Sequence, residues 1–226
     1  LERIVSRSAH LQGAVFSAAD WFANVEQNYP ALFFSPPEQA VDDLPVPLRA
    51  YIRLGEAQQY HIGYKCRIRP MWYIVPSAWI PDAFMLRQVH GYPKLILNNA
   101  QATCTDTIHR VRFINGVPPK VAVCAFLNSL TFAFSEVTGR SYGGGVLTFE
   151  PSEAESLPMP LRGAENLNID LIDSHLRNNN IEAVLDITDR VLLIEGMGLS
   201  EQQTRILRNI WRKLRDRRIN RKHSKN

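Results

Sequence analysis

The alternation of apolar and polar positions changes period along the chain, and each change predicts a different kind of element. Residues 14–25 have a helix-compatible composition, with Asp20 and Trp21 among them. Pro36, Pro37, Pro45 and Pro47 then enforce loop or extended backbone, because proline fixes φ and lacks an amide hydrogen. A short helix over residues 47–55 follows. From about residue 60 the period is two. Residues 64–69 alternate, which in a strand places Lys65, Arg67 and Arg69 on one face and Tyr64, Cys66 and Ile68 on the other. Residues 71–75 are aromatic and β-branched and predict a second strand. Residues 84–87 and 94–97 predict two more, around a Gly91-Tyr92-Pro93 turn. Residues 107–113 alternate again and run into Asn115-Gly116, a strong turn pair.

Over residues 120–137 the period lengthens to that of one helix with a broad buried face, including Val121, Cys124, Leu127, Asn128, Leu130 and Phe134. It stops at Gly139. Arg140-Ser141-Tyr142-Gly143-Gly144-Gly145 follows, then a short strand over 146–149 and the Pro158-Met159-Pro160 break. Beyond that break the pattern is helical over 169–177, 181–194 and 201–219. Ser200 and Gln203 have the spacing of a capping box for the last helix, whose apolar stripe is Ile206, Leu207, Ile210, Trp211 and Leu214. The expected fold class is α+β: a twisted mixed or antiparallel sheet followed by a C-terminal helical section. The expected segments are 1–59, 60–160 and 161–226.

Charge sharpens this picture. The net charge of +4 conceals blocks of −3 over residues 1–59, +5 over 60–150, −5 over 151–211 and +7 over 212–226. Basic zones of this kind are the footprint of a polyanion, with nucleic acid the leading candidate, although Lys and Arg also solvate ordinary surfaces. The 45% hydrophobic and 21% charged content is that of a soluble globular protein. No apolar run approaches 18 residues, and the start lacks a signal-peptide layout. Cys66, Cys104 and Cys124 form no CxxC pair, so reduced thiols and a cytoplasmic location are expected.

Two constellations could contact a nucleic acid. In the first, Gly143, Gly144 and Gly145 allow close backbone approach, while Arg140, Ser141 and Tyr142 beside them offer a phosphate-matching fork, a hydroxyl and a ring. A flexible hairpin that simply needs positive φ reads equally well. In the second, Lys65, Arg67 and Arg69 run into Trp72 and Tyr73, cations beside aromatics. Asn98 and Asn99 could hydrogen-bond adenine or phosphate, or simply end a strand. The basic run 212–225 could track a DNA backbone or fray in solvent. Neither a metal-ligand cluster nor a catalytic set is apparent. Asp106 and His109 are spaced to opposite faces of a strand, and Ile194-Glu195-Gly196-Met197-Gly198 follows a helical pattern where a glycine-rich cofactor loop follows a strand.

The segments GYKCRIRPMWYIVP, YPKLILNNAQATCTDTIHRV and AFLNSLTFAFSEVTGRSYGGGVLTFEPSEAESLPMP, taken in order, resemble the target-recognition region of adenine-specific DNA methyltransferases of restriction–modification systems. The resemblance covers about residues 50–220, and the glycine-rich turn with its flanks is its specific part. It implies that 60–160 is a DNA target-recognition domain, that 1–59 packs on it, and that duplex DNA and a catalytic methyltransferase domain are its partners. In that family S-adenosylmethionine and the flipped adenine are held by an FxGxG-like loop and an Asn/Asp-Pro-Pro-Tyr/Phe motif. This chain has only Ser35-Pro36-Pro37-Glu38 and Val117-Pro118-Pro119-Lys120. No cofactor and no catalysis are therefore expected here without the catalytic domain. The rival expectations are a protein–protein or self-association module acting through Ile206, Ile210 and Trp211, and a self-sufficient enzyme of unrecognised chemistry.

Overall fold

The computed structural model describes residues 1–221 apart from Ser77 and Asn115. The chain opens with strand β1 (Glu2–Val5) and β2 (Val15–Phe16), then helix α1 (Ala18–Glu26) and β3 (Leu32–Phe33). Ser17 and Asp20 close a reciprocal capping box at the start of α1. The proline-rich segment leads to α2 (Val46–Ala57) and the single turn α3 (Tyr64–Arg67). Next come β4 (Ala83–Leu86), β5 (Gln88–Val89), β6 (Leu95–Asn98), β7 (Thr103–Cys104) and β8 (Ile108–Val111). Helices α4 (Pro119–Phe126) and α5 (Ser129–Thr138) precede the hairpin of β9 (Arg140–Tyr142) and β10 (Val146–Thr148). The remainder is helical: α6 (Pro151–Glu155), α7 (Ile169–Arg177), α8 (Ile181–Thr188), a π-helical stretch Asp189–Gly196, and α9 (Glu201–Ile219).

The fold is α+β, and its centre is the four-stranded sheet β2-β6-β4-β8, parallel between β2 and β6 and antiparallel elsewhere. Side chains alternate across a strand, so each face feeds its own core. Ala83, Met85 and Leu95 join the larger cluster with Phe126, Phe132, Leu185 and Trp211, whereas Phe84, Ile96, Phe16 and Ile108 join a second with Val5 and Trp21. The larger cluster draws on residues either side of Pro158–Pro160. Two three-stranded sheets flank the centre, β3-β1-β7 and β5-β10-β9. A third, small cluster of Leu44, Ile52 and Tyr73, with Phe34, Leu48, Met71 and Trp72 against it, holds residues 34–75 together.

Polar clamps fix the N-terminal segment to this frame. Asp173 of α7 accepts from the Ala14 and Val15 amides at 2.7 and 2.9 Å, and Arg177 donates to Asp20 and Asp173. Lys94, buried, donates to the carbonyls of Leu11 and Gln12; burial pulls its ammonium down to about 8.

Several expected elements differ. Residues 64–69 form one helical turn, with Arg67 N donating to Gly63 O at 2.9 Å and Ile68 N to Tyr64 O at 3.3 Å. No side chain of this stretch is buried, so no core face rewards a strand register, and local bonds win. Lys65, Arg67 and Arg69 consequently do not share one strand face: Lys65 and Arg67 are exposed on the turn, and Arg69, beyond its end, is half-buried against the Trp72 carbonyl at 3.5 Å. Residues 71–75, bracketed by Pro70 and Pro76, make a turn closed by Ile74 N to Met71 O, not a strand. The single helix expected over 120–137 is two, bent by 75° at Leu127–Asn128. Asn128 is the reason: its Oδ1 accepts from Thr131 N at 2.9 Å and so caps a new helix. The helix expected over 181–194 changes to π-type at Asp189. No single described helix is long and apolar enough to cross a membrane.

Candidate nucleic-acid interface

The hairpin pairs Arg140 with Thr148, Ser141 with Leu147 and Tyr142 with Val146, and β10 pairs in turn with β5. This leaves β9 as an edge strand on which Arg140, Ser141 and Tyr142 are all exposed. Gly144 and Gly145, at φ 88° and 73°, make the turn possible, since a side chain there is strained. Gly145 is also a close-approach position: a Cβ would come within 2.9 Å of the Ile219 backbone.

That approach is held by Arg218, near the end of α9 and 6% exposed. Its guanidinium donates to both carboxylate oxygens of buried Glu136, at 2.9 and 2.6 Å, and to the carbonyls of Gly145 and His90. One buried ion pair therefore joins α5, α9, the glycine turn and the chain before Gly91. With Glu136 satisfied, the cleft beside it, about 160 Å³ and lined by Ser141, Leu214, Arg217 and Arg221, has a basic rim. Arg140 lies on the other face of β9, where its Nε donates to Glu153 at 2.6 Å. A backbone bond from Glu150 and the Arg140 guanidinium hold the Glu153 carboxyl below its ordinary range.

The basic run after residue 211 is partly neutralised within the fold. Arg212 pairs with Glu182 and Arg215 with Asp216, while Arg208 pairs with Asp186 and buried Asp189. Burial pushes the Asp189 carboxyl up, outweighing the bonds from Ser129 and Arg208 that pull it down. Lys213 and Arg217 stay exposed; residues 222–226 lie outside the described set. Trp211 is fully buried, 5.1 Å from Phe132, so it cannot anchor an oligomer as expected; Ile206 and Ile210 are exposed beside it.

The other expected contacts separate. Asn98 is buried: its amide donates to Pro81 O and Ala102 O, both at 2.8 Å, and accepts from Ala102 N. It shapes the β6 turn, whereas Asn99 is exposed. Tyr73 is buried, its hydroxyl donating to Gln39 O at 2.5 Å, and Trp72 donates weakly to Glu56 at 3.4 Å. Instead of an exposed aromatic strip, these rings form the floor of a cavity of about 470 Å³ between α2 and residues 60–75. Sequence reasoning missed its other members, Phe33, Phe34, Tyr51, Gln58 and Tyr60, along with Glu136; Arg217 and Arg218 entered it only as part of the basic run 212–225.

The remaining reactive groups serve the structure. His109 Nε2 bonds Phe149 O at 2.7 Å. Burial pushes the Cys104 and Cys124 thiols up to about 11. Pro118 and Pro119 begin α4, and Gly196 packs against the carbonyls of Arg162 and Val191. Among the described residues no group of three or more His, Cys, Asp or Glu could hold a metal ion.

A family model for the type II methyltransferase M.Eco57I, C-terminal domain, matches residues 1–193. The chain belongs to this family. Comparison with curated proteins and with solved structures returns no match. The range matched to the methyltransferase C-terminal domain takes in every sheet, the hairpin and α8, and stops within the π-helical stretch. Helix α9, which supplies Arg218, lies beyond it.

Proposed function

We propose that this methyltransferase C-terminal domain recognises a short duplex DNA site in a restriction–modification system and holds it while a separate catalytic domain methylates adenine. The observation that carries the reading is the edge hairpin, which presents Arg140, Ser141 and Tyr142 to solvent while the Arg218–Glu136 pair fixes its base beside a basic cleft. Fixed cations position a duplex through its phosphates, and side chains on a protruding turn can then reach base edges. Ser141 and Arg217 suit the backbone; Arg140 and Tyr142 suit the groove margin or a phosphate. S-adenosylmethionine belongs, in this reading, to the catalytic domain. The two Pro-Pro segments and the Gly196–Gly198 string, as placed in this fold, have neither the strand-to-helix turn nor the stacking aromatic that would suit it.

The test is duplex binding by Arg140→Ala across a salt series. Arg140 is exposed and its ion pair with Glu153 lies at the surface, where such pairs contribute about 0–1 kcal/mol, so the variant melts close to the parent's temperature. Its affinity for DNA falls, and the slope of log K against log salt flattens by about 1. A folded variant with unchanged affinity and slope removes Arg140 from the interface.

A further inference from the structure

A ring-lined cavity opens between α2 and residues 60–75. Its volume of about 470 Å³ falls within the range of small-ligand sites, roughly 300–1,000 Å³. The lining is dominated by rings, with Phe34, Tyr51, Tyr60 and Trp72 around it and few polar groups. Tyr51 and Tyr60 are 58% and 63% exposed, so their faces are open rather than consumed by the core. Trp72 sits deep in the wall because residue 55 is glycine: a Cβ there would come 2.6 Å from the indole. Its indole N–H is turned to Glu56, which also pairs with Arg53, so this carboxylate is engaged outside the cavity. Gln58 contributes an amide that has no hydrogen-bond partner among the described residues and can both donate and accept.

The rim decides what this cavity holds. Arg69 lines the cavity, Lys65 and Arg67 are exposed on the helical turn beside it, and residues 57–81 contain no Asp or Glu. An apolar protein segment gains nothing from a cation in the wall and two more on the adjoining turn. A phosphodiester strand does, and aromatic walls beside a basic rim are how unpaired bases are held, because every base offers a π-face. We propose that this cavity takes an unstacked nucleobase of a DNA strand, with Tyr51, Tyr60 and Trp72 as the stacking wall and Gln58 reading its polar edge. The inference rests on DNA being the partner, but the site is distinct from the hairpin and fails separately from it.

The experiment compares two short single strands of equal length and backbone, one carrying bases and one carrying abasic residues. Binding to the full chain is read by fluorescence anisotropy at fixed salt. The base-bearing strand binds at least about five-fold more tightly, and Tyr51→Ala and Tyr60→Ala each reduce that preference. Because both tyrosines are largely exposed, the variants retain the parent's thermal melt, and Gly55→Ala, which displaces Trp72, reduces the preference as well. Equal binding of the two strands, or a preference untouched by both tyrosine variants, overturns the proposal; an apolar protein segment as the true occupant gives the first of these results. A parallel duplex titration with Arg140→Ala separates the two readings. If duplex binding depends on Arg140 while the two strands bind alike, the base site alone is wrong; if the chain binds no DNA, both are.

Discussion

Arg218 concentrates more of the candidate interface than any other side chain, because a single buried guanidinium meets Glu136, Gly145 and His90. Removing one partner of a buried ion pair leaves an uncompensated charge, which costs about 3–5 kcal/mol. Arg218→Met is therefore expected to lose about that much stability in urea denaturation, and to loosen the glycine turn at the same time. A loss below about 1 kcal/mol would mean that the pair is not closed in solution. The apolar stripe of α9 continues onto Arg218, seven residues past Trp211 and four past Leu214, but also onto Arg221, so the sequence does not choose between these two. Which arginine turns inward depends on the register of α9 against the hairpin, a contact across more than seventy residues that no local pattern records. The same holds for the Asn98-Asn99 pair. Its position at a strand end is readable, but which amide is buried is set by how Pro81 and Ala102 pack around it.

At the scale of elements, legibility followed whether a segment has a polar face. Helix α7 and helix α9 occupy the residues expected of them, and Ser200 with Gln203 forms the expected capping box, because their apolar stripes are narrow and their ends are marked. Across α4 and α5 the apolar residues run nearly all round, down to the exposed Phe134 and Val137, so periodicity cannot reveal a break. The available signal was a polar residue inside an apolar run. Asn128 bonds Thr131 N, Thr131 Oγ1 and Ala125 O while fully buried. Asn128→Ala is expected to cost about 2 kcal/mol, seen as a lowered urea midpoint with unchanged slope, since it removes a cap and strands buried partners. An unchanged midpoint would show that the bend is imposed by the surrounding core instead. Residues 64–69 failed for the opposite reason: with no buried side chain, six alternating positions specify neither a strand nor a helix, and the bracketing Gly63 and Pro70 favour a turn.

At the scale of the molecule, the charge blocks read along the chain do not survive as separate zones. Arg212 of the basic block is drawn onto Glu182 of the acidic one, while Arg208 pairs with Asp186 and Asp189 inside the acidic block itself. Of the cations that stay outward, Arg217 lines the hairpin cleft, Arg140 stands on the opposite face of β9, and Lys65 and Arg67 lie on the turn beside the aromatic cavity. The α+β class was legible from the switch between periods of two and 3.6. The cavity was not, because its walls come from residues 32–34, 51–60 and 66–75, which meet only on folding. The central claim, that this domain of a type II methyltransferase reads DNA, is tested most directly by incubating the chain with a pool of randomised duplexes at moderate salt and sequencing the bound fraction. The account predicts enrichment of one short, adenine-containing site that Arg140→Ala weakens. Binding without enrichment, lost as salt rises, would contradict it and reduce the basic surface to nonspecific attraction.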